Sequence, residues 1–313
     1  MQEEIFISGR NIPNIDPVLE IWHLPISIYL FLGGLAAGIM FFAALVTVLK
    51  KEKQFPATVK QAMLIVPIAL SIGLAALFYD LTNKLNVWRL YTTFRIESPM
   101  SWGAWVLLII TFISFFWCFS YFTEIFPKWS WKYKLMQKLE KFFIQNRKSM
   151  ALAMLPLSII LGIYTGILLS AFNARPLWNN AILGPLFLVS GLSTGVAAIL
   201  LVSKNHYEQS TLSKIDLLLI VIELFLISHM LMGMYAGSEV QLEALDILVK
   251  GEYTVMFFVF VVILGLIFPA LLEGIELLGY KVPIVVPAVL ILIGGFIFRM
   301  VMVEAGQITR YLY

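Results

Sequence analysis

Long runs of apolar residues, separated by short polar segments, fill the chain from one end to the other. A helix that crosses the roughly 30 Å hydrocarbon core of a bilayer needs about 20 mostly apolar residues. Eight stretches meet this requirement, near residues 26–49, 60–80, 101–126, 149–172, 181–202, 215–236, 253–276 and 282–304. The runs are unbroken rather than amphipathic, as in membrane spans. The pattern therefore predicts an all-α integral membrane protein with eight transmembrane helices.

The composition supports a membrane protein and excludes a water-soluble enzyme. Hydrophobic residues make up 60% of the 313 positions and charged residues 13%, whereas soluble domains average roughly 45–50% and about 25%. The 22 basic and 19 acidic residues, a net charge of +3, lie almost entirely between the apolar runs. Nucleic acid is therefore not an expected partner.

The distribution of basic residues predicts the orientation of the protein. Connections after the odd-numbered spans contain fourteen Lys and Arg residues, and the opposite side, with both termini, contains seven. Basic residues concentrate on the cytoplasmic side of membrane proteins. We therefore expect both termini on the outer, periplasmic side of a bacterial inner membrane. The first 25 residues contain four acidic residues and no basic leader pattern, so no removable signal peptide is expected.

Two similar glycine motifs suggest that the protein has two halves. Gly34 to Gly38 reads GLAAG and Gly191 to Gly195 reads GLSTG, 157 residues further on. The predicted organisation is an outer segment 1–25, a four-helix bundle 26–172 and a second four-helix bundle 173–313. Because each half has an even number of spans, both would insert the same way round. The alternative is that both motifs are ordinary small-residue packing sites between membrane helices.

The supply of metal-binding side chains excludes several cofactors. Cys118 is the only cysteine, so the sequence has no internal disulfide and no thiolate set for zinc or an iron–sulfur cluster. The three histidines, His23, His206 and His229, fall in different regions, and a paired-histidine haem is not expected. Every lysine lies at the end of a span or in a connection, which excludes a retinal Schiff base. Any metal centre is therefore expected on another protein.

A few ionisable residues lie inside the predicted spans, where each costs about 2.5–3.5 kcal/mol on insertion scales. They are Asp80, Glu223, His229, Glu273, Arg299 and Glu304. One explanation is structural: paired charges, groups that reach the headgroups and a hydrogen-bonded histidine. The other is functional: a pocket for an amphipathic ligand, with a deeper acid that serves a proton route. These residues alone leave both explanations open.

Motifs along the whole sequence resemble the NrfD/polysulfide-reductase membrane-subunit family. The most specific are SPMSWGAW at Ser98 to Trp105 and RPLWN at Arg175 to Asn179. Supporting matches are YLFLGGLAAG from Tyr29, YTG from Tyr164 and AGQ from Ala305. They occur in the family's order.

The resemblance implies an eight-helix, haem-free subunit of a respiratory oxidoreductase complex. Such a subunit exchanges electrons between menaquinone, or another quinone, and a ferredoxin-like iron–sulfur subunit on the outer face. A molybdopterin-type or multihaem catalytic subunit would complete the complex. Two other functions remain open, a proton- or solute-conducting membrane protein without a redox role and a purely structural anchor.

The resemblance also implies a quinone site in the outer half of the first bundle. Tyr29, Asp80, Tyr164 and Arg175 are the predicted quinone-binding residues, and Asp80 and Tyr164 the predicted catalytic ones. Quinone reduction consumes two electrons and two protons, so the site needs hydrogen-bond donors and a titratable group. The alternative for each tyrosine is an aromatic anchor at the membrane interface.

Polar residues of the second bundle predict a route for protons from the cytoplasm. The predicted members are Ser193, Thr194, Glu223, Glu273 and Arg299. A helical rise of about 1.5 Å per residue puts Glu223 and Glu273 within a turn or two in depth, so water could bridge them. The alternative is a buried salt bridge between Glu223 and Arg299 that fastens two helices together.

Overall fold

A computed structural model describes residues 22–129 and 131–309, and within these ranges every regular element is helical. Eight of the described helices are long and apolar enough to cross a membrane. They are α1 (Leu24–Val48), α2 (Pro56–Asp80), α3 (Pro99–Ser120), α4 (Arg147–Ser170), α5 (Leu183–Val202), α6 (His206–Tyr235), α7 (Val255–Leu277) and α8 (Val285–Ile308). The prediction of eight transmembrane helices is confirmed. Most of the predicted outer segment 1–25 lies outside the described residues.

The largest boundary error is at α6, which begins at His206 rather than near residue 215. The Asn205 side chain caps this helix by accepting a hydrogen bond from the Tyr207 backbone N–H at 3.1 Å. The first turns of α6 are polar, so hydropathy assigns them to a loop although they are helical. As a result Asp216 lies ten residues inside a helix rather than at its start.

Shorter helices connect the spans. They are the 3-10 helix Lys84–Asn86 and the α-helix Arg89–Thr92 between α2 and α3, Phe122–Ile125 and Lys134–Gln145 between α3 and α4, and Glu239–Val249 between α6 and α7. In α7, Val255–Ile267 is a π-helix that continues as an α-helix over Phe268–Leu277.

Helix α1 lies at the centre of the bundle and packs against α2, α4, α5 and α8. In the first half α3 packs against α4, and in the second half α5 packs against α6 and α8 while α7 packs against α8. The first four helices contact the last four where α5 crosses α1 and α4 and where α8 packs against α1. The division into bundles at 26–172 and 173–313 stays a prediction.

The two glycine motifs face each other at the crossing of α1 and α5. A Cβ at Gly191 would lie 2.9 Å from the carbonyl oxygen of Gly34, and a Cβ at Gly195 would lie 2.6 Å from the Cα of Gly38. Only glycine lets the two backbones approach this closely. The motifs therefore have a packing role at the crossing of α1 and α5.

The helices alternate in direction, which gives the bundle two ends. We call them the Arg175 end, where α2 joins α3 and α4 joins α5, and the Lys60 end, where α1 joins α2 and α5 joins α6. The assignment of the Arg175 end to the outer side of the membrane stays a prediction.

Candidate functional site

A cavity of about 80 Å³ lies among α1, α2, α3 and α4 near the Arg175 end. Its walls are mostly aliphatic, and three tyrosines, Tyr29, Tyr91 and Tyr164, interrupt them. The other lining residues are Leu74, Leu77, Leu81, Leu90, Met100, Ala104, Leu107 and Leu168. We call this space the tyrosine cavity. The structure thus brings the predicted residues Tyr29 and Tyr164 to one small apolar space.

The hydroxyl of Tyr29 is buried and makes no hydrogen bond of standard geometry among the described residues, although the Tyr164 hydroxyl lies near enough to pair with it. Tyr29 lies on α1 and is 2% exposed, and its phenol interacts electrostatically with that of Tyr164. An unsatisfied buried hydroxyl costs about 1–3 kcal/mol. This hydroxyl is therefore suited to donate a hydrogen bond to a ligand in the cavity.

Residues of the SPMSWGAW motif hold Tyr164 in place. The ring of Tyr164 lies edge-to-face against Trp102, with centroids 5.6 Å apart and an interplanar angle of 64°. It also fills the space beside Gly103, where a Cβ would overlap the ring. Ser101 Oγ accepts from the Arg95 backbone N–H at 2.9 Å and ties the preceding loop to the start of α3. The motif therefore positions one of the two buried tyrosines of the cavity.

Tyr91 is a cavity residue that the sequence did not indicate. It lies in the short helix Arg89–Thr92, outside the spans, and burial raises the pKa of its phenol. It therefore stays protonated at neutral pH and can donate a hydrogen bond. Tyr91 lines the cavity because the connection between α2 and α3 folds over the bundle. A hydropathy pattern does not predict the fold of such a connection.

A wider, more polar cleft of about 490 Å³ adjoins the tyrosine cavity. The two spaces share Leu81, Leu90 and Met100. Arg89 and Arg95 line the cleft together with amide and hydroxyl side chains of the α2–α3 connection. A molecule with a polar head could pass from this cleft towards the tyrosines.

Asp80 lies beside the tyrosine cavity rather than in it. It is the last residue of α2 and is half-buried, and the next residue, Leu81, lines the cavity. Asp80 interacts electrostatically with His23 at the start of α1. The structure therefore places Asp80 next in the chain to a cavity residue, while its own side chain is not part of the lining.

The structure does not bring Arg175 to the tyrosine cavity. Its Nη1 donates to the backbone oxygen of Thr309 at 2.7 Å, at the end of α8. In the same motif Trp178 Nε1 donates to the Met302 oxygen at 2.7 Å, over Gly306, where a Cβ would overlap the indole. The RPLWN and AGQ motifs thus contact each other and fasten the α4–α5 connection to α8.

A second group of polar residues is buried between α5, α6 and α7. Ser193 Oγ donates to Asp216 Oδ1 at 2.7 Å, and Asp216 Oδ2 has no hydrogen-bond partner within the described part of the protein. Both carboxyl oxygens of Glu273 likewise lack a donor there, and the Glu273 carboxyl lies near enough to Asp216 for the two acids to share one proton in a hydrogen bond. The sequence pointed to Ser193 and Glu273 but missed Asp216, which lies between them.

Arg299 is fully buried where α1, α5 and α8 meet. Its Nη1 donates to Gly295 O at 2.8 Å and to Ser190 Oγ at 3.2 Å, while Nε and Nη2 have no described hydrogen-bond partner. Glu223, which is 2% exposed, interacts electrostatically with Arg299 and with Ser190. Ser190 therefore lies between acid and base. No direct Glu223–Arg299 salt bridge forms between these two described side chains.

Thr194 and His229 are not part of this group. The Thr194 hydroxyl donates to the backbone oxygens of Ser190 and Gly191, at 3.0 and 3.1 Å, within its own helix. His229 is exposed on the side of α6 and stacks on Phe225, with ring centroids 6.0 Å apart. The alternative of a hydrogen-bonded core histidine is therefore wrong for His229.

A pocket of about 460 Å³ opens at the Lys60 end below Glu273. Glu276, one helical turn from Glu273, lines it and interacts electrostatically with Glu273 and with His206. Lys214 and Lys281 also line the pocket. We call the series from this pocket to Arg299 the buried acid line, which comprises Glu276, Glu273, Asp216, Glu223 and Arg299 with Ser190 and Ser193.

The fold and these buried groups define a multi-pass integral membrane protein with polar sites at two depths. The sequence matches the family described as "Polysulphide reductase, NrfD" over residues 13–310. The protein belongs to the NrfD polysulphide reductase family, as its motifs predicted. Within 22–129 and 131–309 no three His, Cys, Asp or Glu side chains are grouped as metal ligands.

Three relatives are similar along almost their whole length. The C chain of the polysulfide reductase of Wolinella succinogenes is 32% identical, over 92% of the present sequence and 94% of the relative. Protein NrfD of Escherichia coli is 30% identical, over 92% and 96%. The NrfD homolog of Haemophilus influenzae is 28% identical, over 92% and 95%.

Proposed function

We propose that this protein is the quinone-reactive membrane subunit of a respiratory oxidoreductase complex, and that the tyrosine cavity binds the quinone ring. The observation that carries the proposal is the pair of buried phenols, Tyr29 and Tyr164, which lie near each other in a mostly apolar cavity, with no further described partner for the Tyr29 hydroxyl. A quinone fits this arrangement because its ring is apolar and its two carbonyl oxygens accept hydrogen bonds.

The bound quinone supplies a two-electron, two-proton redox couple. Tyr29, Tyr91 and Tyr164 have the hydroxyls that would hold its oxygens, and the leucines around them exclude water. Asp80, next in the chain to a cavity residue, would exchange protons with the outer solution. The ring would enter from the wider cleft past Leu81. Arg175 would act through the loop that it fastens, rather than by touching the ring.

The electron partner in this proposal is a ferredoxin-like iron–sulfur subunit bound at the Arg175 end. A molybdopterin-type or multihaem catalytic subunit would complete the complex, with menaquinone as the quinone and the bacterial inner membrane as the location. The Wolinella relative, named as one of the chains of a polysulfide reductase, supports a role as one subunit of a larger reductase. The proximity of the tyrosine cavity to the Arg175 end supports electron transfer there.

The buried acid line would carry protons from the Lys60 end towards the quinone site. Asp216 and Glu223 are seven residues apart on α6, which is about 10.5 Å along the helix. Ser193 contacts one of these acids and Ser190 interacts electrostatically with the other. Glu273 and Asp216 form a carboxyl pair near enough to share one proton, so a proton would pass directly between them.

Purification of the tagged protein from its native membrane tests the proposal. The complex should contain an iron–sulfur subunit, and added quinol should exchange electrons with its clusters. A protein that purifies without any redox subunit, and that moves protons or solutes in vesicles, would instead support the conducting protein considered above.

A further inference from the structure

The helix Lys134–Gln145, between α3 and α4, is held against the bundle along one face. Glu140 is 7% exposed and accepts hydrogen bonds from Thr123 Oγ1 at 2.6 Å and from the Thr123 backbone N–H at 3.3 Å. Phe143 stacks on Phe116 of α3, with centroids 4.6 Å apart and an interplanar angle of 13°. These contacts fix the rotation of the helix about its own axis.

The fixed rotation leaves an apolar stripe without a protein partner. Leu135, Leu139 and Phe142 follow helical spacing and are 63%, 37% and 56% exposed. Phe116, against which the helix packs, and Phe112 are exposed on the side of α3 and stack on each other. The stripe is therefore continuous with the apolar side of a transmembrane helix.

A stripe of lysines runs beside the apolar one. Lys134, Lys138 and Lys141 each precede a stripe residue by one position and are exposed. No acidic side chain among the described residues forms an ion pair with them, and Glu140, the one acid of this helix, is hydrogen-bonded to Thr123 instead. The helix thus presents adjoining apolar and cationic surfaces.

We propose that this helix lies in the headgroup layer and binds anionic phospholipid at the Lys60 end. Its apolar stripe enters the acyl boundary that α3 already contacts, and its three lysines bind lipid phosphates. Charge complementarity and continuity with α3 favour lipid over a protein partner. Because α3 and α4 both span the membrane, their connecting helix is held at the membrane surface.

Spin labels test the position of the helix in the full-length protein. In a Cys118→Ala background a nitroxide at Leu135→Cys or Leu139→Cys should be more accessible to oxygen than to a water-soluble nickel chelate. A label at Lys138→Cys should show the reverse preference. Equal, water-like accessibility at all three positions in phosphatidylcholine/phosphatidylglycerol vesicles would overturn the proposal.

Lipid selectivity tests the role of the lysines. Phosphatidylglycerol should raise the Tm of the purified protein in neutral detergent, whereas inorganic phosphate and phosphatidylcholine should not. The variant K134Q/K138Q/K141Q should need roughly a hundredfold more phosphatidylglycerol for half of the shift, since each of the three lysines contributes roughly fivefold. The control K50Q/K51Q/K53Q loses the same charge at the same end and should respond like wild type. The proposal would be overturned if both triple variants lost the phosphatidylglycerol response equally. It would also be overturned if a purified protein, rather than lipid, bound the helix Lys134–Gln145.

Discussion

The ring of Tyr164 occupies the space beside Gly103 that any side chain at that position would need. The two residues lie on α4 and α3 and bring these helices together at the wall of the tyrosine cavity. Gly103, the glycine of the SPMSWGAW motif, therefore determines how far the Tyr164 phenol enters the cavity.

Replacement of Gly103 by Ala should push Tyr164 out of position. We expect an overpacking cost of about 1–3 kcal/mol and a lower affinity for quinone, measured by thermal unfolding and quinone titration. The control is Gly233→Ala in α6, where a Cβ would meet nothing within 4 Å. The packing role of Gly103 would be refuted by a variant whose stability and quinone affinity match those of Gly233→Ala.

Glu208 is a buried carboxylate that fastens α6 to the start of α2. It accepts hydrogen bonds from the Thr58 hydroxyl and backbone N–H, both at 2.7 Å, and from Ser203 Oγ at 2.9 Å. Glu208→Ala should lower the free energy of unfolding by about 1–3 kcal/mol or more, because the buried donors of Thr58 and Ser203 would lose their acceptor. The exposed Glu252→Ala is the control, and equal melting temperatures would contradict the assignment.

Glu124 predicts a pH dependence of stability at the Lys60 end. Burial alone would raise its pKa, but Lys60 and Arg147, each 2.8 Å away, lower it below the usual 4.5. A lowered pKa in the folded state means that the charged group stabilises the fold above pH 4.5. This stabilisation is lost as the pH falls through the folded-state pKa.

The melting temperatures of wild type and Glu124→Gln should therefore differ at about pH 6–7 and converge in acid. A gap that stays constant, or widens, below about pH 4 would show that the ion pairs do not account for it. Ionic strength offers a second check, since part of the Glu124 side chain is exposed and salt should shrink the gap.

The buried acid line predicts separable effects on protons and electrons. In vesicles that hold the intact complex, Glu223→Gln and Asp216→Asn should reduce proton uptake from the cytoplasmic side while quinone turnover continues. The exposed Glu252→Gln is the matched control. A stable Glu223→Gln variant with an unchanged proton-to-electron ratio would remove Glu223 from the route.

Sequence patterns predicted the spans well because the hydropathy of a span depends only on residues that are neighbours in the sequence. The crossing of α1 and α5 was also visible in the sequence, as two matching glycine motifs. The motifs also pointed to Tyr29 and Tyr164, which the structure brings together. Tyr91 and Asp216 escaped prediction for a physical reason. Tyr91 lines the cavity only because the polar connection between α2 and α3 folds over it. Asp216 lies near the polar start of α6, and this start is set by a helix cap rather than by a hydropathic run.

The most direct test of the central claim is quinol-dependent electron transfer in the assembled complex with Tyr29→Phe and Tyr164→Phe. Each variant loses one hydroxyl from the tyrosine cavity, whereas the control Tyr235→Phe loses one from an exposed position. We predict that each cavity variant assembles normally and transfers electrons about tenfold more slowly or worse. Rates equal to those of Tyr235→Phe and wild type in both cavity variants would contradict the assignment of the quinone site.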